Sequence, residues 1–130
     1  MANPNLLAAT TASGTTTYYT PSGTSAVVLV TNAASSGQVF KINQIIAANV
    51  TGTATNATVS IYTNGSVAQG SAPSGGTAYP IVSAVAVPSN ASLIVTDKTT
   101  AVYLQENTCI SITSSTASAI TYTVSYEVIS

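Results

Sequence analysis

The sequence predicts an all-β fold: an antiparallel β-sandwich, jelly-roll-like, of about eight strands with essentially no helix. Three observations carry this. Apolar and polar residues alternate with period two in segments rich in Val, Ile, Thr and Tyr, the signature of strands with one face in a core. No segment carries an apolar stripe at helical spacing, and Ala-rich stretches such as 32–36 are short and end in Gly. The strands are short and separated by Gly, Ser, Asn and Pro turns, which implies two sheets packed face to face. With 130 residues, 45% of them hydrophobic, the chain is long enough for one core.

In chain order, residues 1–24 are Thr-rich and poor in large apolar side chains, and read as an amino-terminal arm or edge strand. The sandwich domain then runs over 25–130. Its first strand is 26–31. In the next, Phe40, Ile42, Ile46, Ala48 and Val50 share one phase broken only by Gln44, which places them on one buried face. Val59 and Ile61 form a shorter copy after a Gly/Thr/Asn turn. Residues 63–80, TNGSVAQGSAPSGGTAYP, read as a long Gly/Ser/Pro loop, of the kind that is often functional or mobile. Further strands fall at 81–87, 93–96, 101–105 and 109–113. The last strand is the clearest, with Ile120, Tyr122, Val124, Tyr126 and Val128 on one face and Thr121, Thr123, Ser125 and Glu127 on the other.

Charge bounds function more tightly than any motif. Only Lys41, Asp97, Lys98, Glu106 and Glu127 are charged, the net charge is -1, and His, Arg and Trp are absent. Proton transfer, metal ligation and phosphate recognition draw mostly on residues this chain lacks. No enzyme activity, no cofactor and no metal is therefore expected. The three carboxylates read as a turn cap (Asp97), a turn residue (Glu106) and a solvent-facing strand position (Glu127), rather than as a hydrolase pair. A serine nucleophile would have only Lys41 or Lys98 as a base, and neither lies in a Ser-Lys motif. The glycines of 70–76 lack the G-K-[ST] ending of a phosphate loop and precede no helix. Two lysines do not make the basic footprint that nucleic acid needs.

The single Cys109 excludes an internal disulfide and reads as a small buried or half-buried apolar residue. The amino terminus shows no signal-peptide pattern, and the longest apolar run, 26–30, is far too short to cross a bilayer. Four N-x-[ST] triplets, at Asn49, Asn56, Asn64 and Asn90, are close to chance in so Ser/Thr-rich a chain. Of the seven tyrosines, Tyr122 and Tyr126 share the core phase of the last strand. Tyr18, Tyr19 and Tyr79 lie in poorly patterned regions and are the candidates for partner contact, by packing or by stacking on a glycan.

The carboxyl-terminal 87–130 resembles small virion structural proteins of tailed bacteriophages, of the marine and cyanobacterial phage type. Its elements are Val87-Pro88, the strand Leu93 to Lys98 ending in Asp-Lys, Tyr103 to Asn107 with its acidic turn, and the terminal Ser125 to Ser130. The segment 39–50 resembles the central strand of the same family. The chain has fewer acidic residues around Gln105 and Glu106 than that family, and its first 24 residues match no part of it. The resemblance implies a non-enzymatic virion component, made in the host cytoplasm without a signal peptide. The expected role is capsid decoration or cement; a neck, tail or fibre location is the second reading and a carbohydrate-binding module the third. Low charge leaves sheet edges without their usual lysine guards. The expected partners are therefore copies of the same chain, as a homo-oligomer of trimeric order with the arm crossing to a neighbour, and other virion proteins.

Overall fold

The computed structural model describes residues 4–130. It contains nine strands: β1 (Ala12–Tyr19), β2 (Val27–Asn32), β3 (Val39–Asn49), β4 (Thr55–Tyr62), β5 (Ala78–Val87), β6 (Ser92–Thr96), β7 (Val102–Leu104), β8 (Thr108–Ser114) and β9 (Ile120–Ile129). Among the described residues the only helical element is a three-residue 3-10 turn, Lys98–Thr100. One sheet has the order β1-β9-β3-β6, with β7 also paired to β3, and the other has the order β2-β8-β4-β5. The antiparallel pairs β1–β9, β2–β8, β3–β6/β7 and β4–β5 are nested, the outermost joining the two ends of the chain. Rolled over two sheets, such a nested hairpin is a jelly roll. The strand beyond the expected eight is β1, at residues 12–19 of the stretch 1–24, and it is an edge strand paired to β9 of its own chain.

The core lies between the sheets. Leu29, Ile42, Ile45, Leu104, Ile110, Ile112, Ile120, Tyr122 and Val124 are fully buried, which alternation predicts for β8 and β9. In β3 the alternation misleads. Its pairing with β9 shifts register between Ile42 and Gln44, so Asn43 is the extra residue of a bulge. One extra residue moves every later side chain to the opposite face. Phe40 and Ile42 point inward as expected, but Ile45 and Ala47 replace Ile46 and Ala48 in the core, and Val50 is exposed.

Two buried asparagines tie the sheets together. Asn32, at the end of β2, donates from Nδ2 to the carbonyls of Gln38 and Leu104, both at 3.0 Å, while its Oδ1 accepts from the Ser36 hydroxyl at 2.6 Å. Asn49, at the end of β3, donates to the carbonyls of Thr53 (2.8 Å) and Val87 (3.0 Å) and accepts from the amide and hydroxyl of Thr51. Leu104 and Val87 each belong to the sheet opposite the asparagine that binds them. Each side chain thus closes backbone groups that no strand could reach.

The 63–80 stretch is not a free loop. Its residues 64–71 lie along β2, where Gly70 N donates to Val28 O and Val28 N to Ser71 O, both at 2.9 Å. The Gln69 side chain reaches Leu29 O, and the Thr31 hydroxyl reaches Gly65 O at 2.6 Å. Val67 packs on a small second cluster of Val28, Tyr62 and Cys109 on the outer face of the sheet. An exposed edge next to an outward-facing valine and cysteine needs a cover, and the chain supplies one itself rather than leaving it to another subunit.

Candidate assembly surface

The outer face of the β1-β9-β3-β6 sheet is built from regular structure, and its side chains follow from register. One cross-strand row runs Tyr18, Thr123, Ile46, Ile94. Tyr18 and Ile94, at its two ends, are 69% and 58% exposed. A parallel row runs Gly14, Glu127, Lys41, Tyr103. Between β1 and β9 the hydroxyls pair across the strands: Thr16 with Ser125 at 3.0 Å and Thr20 with Thr121 at 2.8 Å. The Ile46 and Ile94 side chains stand on this face because of two bulges, one at Asn43 and one where β6 shifts register against Ile45 and Ile46.

At one end of the face lies an open cleft of about 390 Å³, lined by Lys41, Glu127, Tyr103, Ala12, Ile129 and Leu6 among others. It brings together two of the five charges, directly opposed on β3 and β9. The remaining charges lie in turns. The Asp97 carboxylate accepts from the Thr99 hydroxyl (2.6 Å) and the Thr99 amide (2.9 Å), and these bonds hold its pKa below the usual value. It is the cap of the 3-10 turn. Among the described residues no three His, Cys, Asp or Glu side chains gather into a metal site, and no helix is long and apolar enough to cross a membrane.

The three tyrosines singled out from sequence do not form one site. Tyr18 projects from the outer face of β1. Tyr19, its neighbour, faces the other way, packs against the core and stands beside Gly70. Tyr79 is 60% exposed on β5, the edge strand of the other sheet, opposite Ile61. β1 contacts β2 and β5 contacts β6, so Tyr18 and Tyr79 lie on opposite flanks of the sandwich. Tyr122 is a core residue, and Tyr126 packs half-buried against the core: the Tyr122 hydroxyl donates to Thr113 O at 2.6 Å, and the Tyr126 ring stacks on Phe40 at 5.1 Å. Burial pushes both phenols up in pKa. Cys109 is fully buried, and its thiol donates to Asn64 O at 3.3 Å. Burial pushes that thiol up to about 11, which keeps it protonated and unreactive near neutral pH.

The cleft residues Lys41, Tyr103 and Glu127 were not joined by sequence reasoning. They sit on three strands far apart in the chain, and only the β3–β7 and β3–β9 registers align them. Compared with protein families, curated proteins and solved structures, the chain matches none.

Proposed function

We propose that this chain is a non-enzymatic structural subunit of a tailed-phage particle, a decoration or cement protein on the capsid. A neck, tail or fibre position is the second location. One observation carries the reading: a jelly roll whose broad outer face presents hydroxyls, Tyr18, Ile46 and Ile94, with only Lys41 and Glu127 as charges in the sheet. A typical soluble domain carries about 25% charged residues; this one carries 4%. Surfaces so poor in charge suit permanent contact with other protein rather than free diffusion. The fold alone does not separate the candidates, because jelly rolls serve both viral capsids and lectins. The resemblance of 87–130 to phage virion proteins supports the first. Against the glycan reading stand the placement of Tyr18 and Tyr79 on opposite flanks and the backbone bonds that hold 64–71 along β2.

Attachment to the particle should then be nearly indifferent to salt. The Debye length falls from about 10 Å at 0.1 M to about 3 Å at 1 M, which weakens charged contacts but leaves apolar burial and hydroxyl or backbone hydrogen bonds in place. Particles washed in about 1 M sodium chloride should keep the protein, whereas moderate urea should release it. Release by salt with retention in urea would show that a charged partner surface dominates.

A further inference from the structure

The two sheets present four outer edges, and three are guarded. The β2 edge is covered by 64–71. The β5 edge carries Pro80, which has no N–H, two register shifts against β4, and Ala84 in the left-handed region at φ 50°. The β6/β7 edge is made of strands of five and three residues, with a register shift in β6. β1 is different. It runs eight residues in unbroken register with β9, with no charge, no proline and no bulge. On the side away from β9, among the described residues, the Gln69 amide approaches the strand's Tyr19 end, 3.5 Å from Tyr18 O and 3.1 Å from the Thr17 hydroxyl. An edge this long and uncharged is a template for another strand.

We infer that β1 pairs antiparallel with β1 of a second copy, about a two-fold axis through Thr16. The inference deepens the reading of the chain as a self-assembling subunit and rests on it. An axis perpendicular to the sheet keeps both outer faces on one side. Directly opposed residues must then share a face, which excludes registers that pair Thr15 with Thr16. With Thr16 opposite its own copy, Tyr18 falls opposite Gly14 on the outer face and Tyr19 opposite Ser13 on the inner one. The two largest residues of the strand thus meet two of its smallest, twice over. Centring on Thr15 or Thr17 instead sets Tyr19 against a threonine. Gly14 has open space where a Cβ would stand, so the exposed Tyr18 ring of the second copy has room over it, the cross-strand packing that aromatic residues give glycine. In the same row stand Glu127 and Lys41, beside the cleft that Ala12 also lines. The phenol of the incoming Tyr18 would reach the Glu127 carboxylate. The pair opposes no like charges, because β1 has none. It is isologous and closes on itself, giving a two-fold unit in place of the trimer expected from composition.

The test uses the full chain. Light scattering should return twice the 13.0 kDa chain mass. Thr16→Cys places two thiols across the axis within the Cα separation a disulfide accepts, so mild oxidation with copper phenanthroline should convert it to a covalent dimer. Tyr18→Cys, equally outward but four positions from its copy, should stay uncrosslinked, and the native Cys109 is buried. Thr16→Lys sets two ammonium groups against each other on an exposed position and should yield a monomer with unchanged circular dichroism. A native chain that is monomeric at every concentration would overturn both this pairing and the self-assembly reading. An oligomer that survives Thr16→Lys and is not trapped by Thr16→Cys would overturn the β1 pairing alone.

Discussion

Replacing Asn32 and Asn49 together by Ala should unfold the protein or leave it marginal at room temperature. Each change strips the donor from two carbonyls, those of Gln38 and Leu104 for Asn32 and those of Thr53 and Val87 for Asn49. Leu104 O and Val87 O lie in buried bonds, and such a group left without its partner costs about 1–3 kcal/mol, while the partly buried bonds to Gln38 O and Thr53 O contribute about 1 kcal/mol each, so each variant should lose about 2–4 kcal/mol. The two residues sit at opposite ends of the eleven-residue β3, Asn32 beside Leu104, which pairs with Phe40, and Asn49 at the far end. At about 3.3 Å per residue that is too far for coupling, so the losses should add. Against a typical stability of about 5–15 kcal/mol the sum is decisive. Asn49→Asp is the sharper variant, since it keeps the shape but turns a donor into an acceptor facing two carbonyls. It should melt at or below the Ala variant. A midpoint shift for either single Ala variant of under about 2 °C, where about 4 °C or more is expected, would mean that the asparagines do not hold the sheets.

The second large effect is expected at Gly65. A Cβ there would stand 2.3 Å from Asn32 O and 2.9 Å from both Thr108 N and Thr108 O. All three are backbone atoms of β2 and β8, which have no freedom to move aside. Gly65→Ala should therefore lift 64–71 from the β2 edge. That breaks the bonds of Gly70, Ser71, Gln69 and Thr31 and the contact between Cys109 and Asn64 O. At about 1 kcal/mol per bond, opening becomes easier by roughly 100-fold or more. The readout is the labelling rate of Cys109 by a thiol reagent in native buffer, slow in the parent chain and faster by that factor in the variant. The freed β2 edge should also make the variant aggregate with concentration. An unchanged labelling rate would show that the segment is not seated as described.

Much of the fold was legible because its signals are local. Alternation in 120–128 places Tyr122 and Val124 in the core directly, and the lack of helical spacing excludes helices across the chain. What failed was long-range or depended on one inserted residue. The bulge at Asn43 leaves the apolar count of β3 unchanged and reverses its faces, so simple alternation puts Ile46 and Ala48 on the interior face that Ile45 and Ala47 occupy. The 63–80 stretch has the composition of a free loop, and its role as a cover is decided by backbone bonds to β2 that composition does not encode. Tyr18 and Tyr19 look alike in sequence. They part only because β1 pairs with β9, setting Tyr19 against Tyr122 and Tyr18 against Thr123. The alignment of Lys41, Glu127 and Tyr103 needs three strands to find their registers.

The proposal that the chain is a virion subunit is tested most directly by cryo-electron microscopy of purified phage particles, with mass spectrometry to establish whether they contain the chain. The account predicts density for this two-sheet jelly roll repeated at equivalent sites on the outside of the shell, held through surfaces free of salt-bridge networks. Purified particles that lack the chain, or that hold it enclosed with the packaged genome, would contradict it.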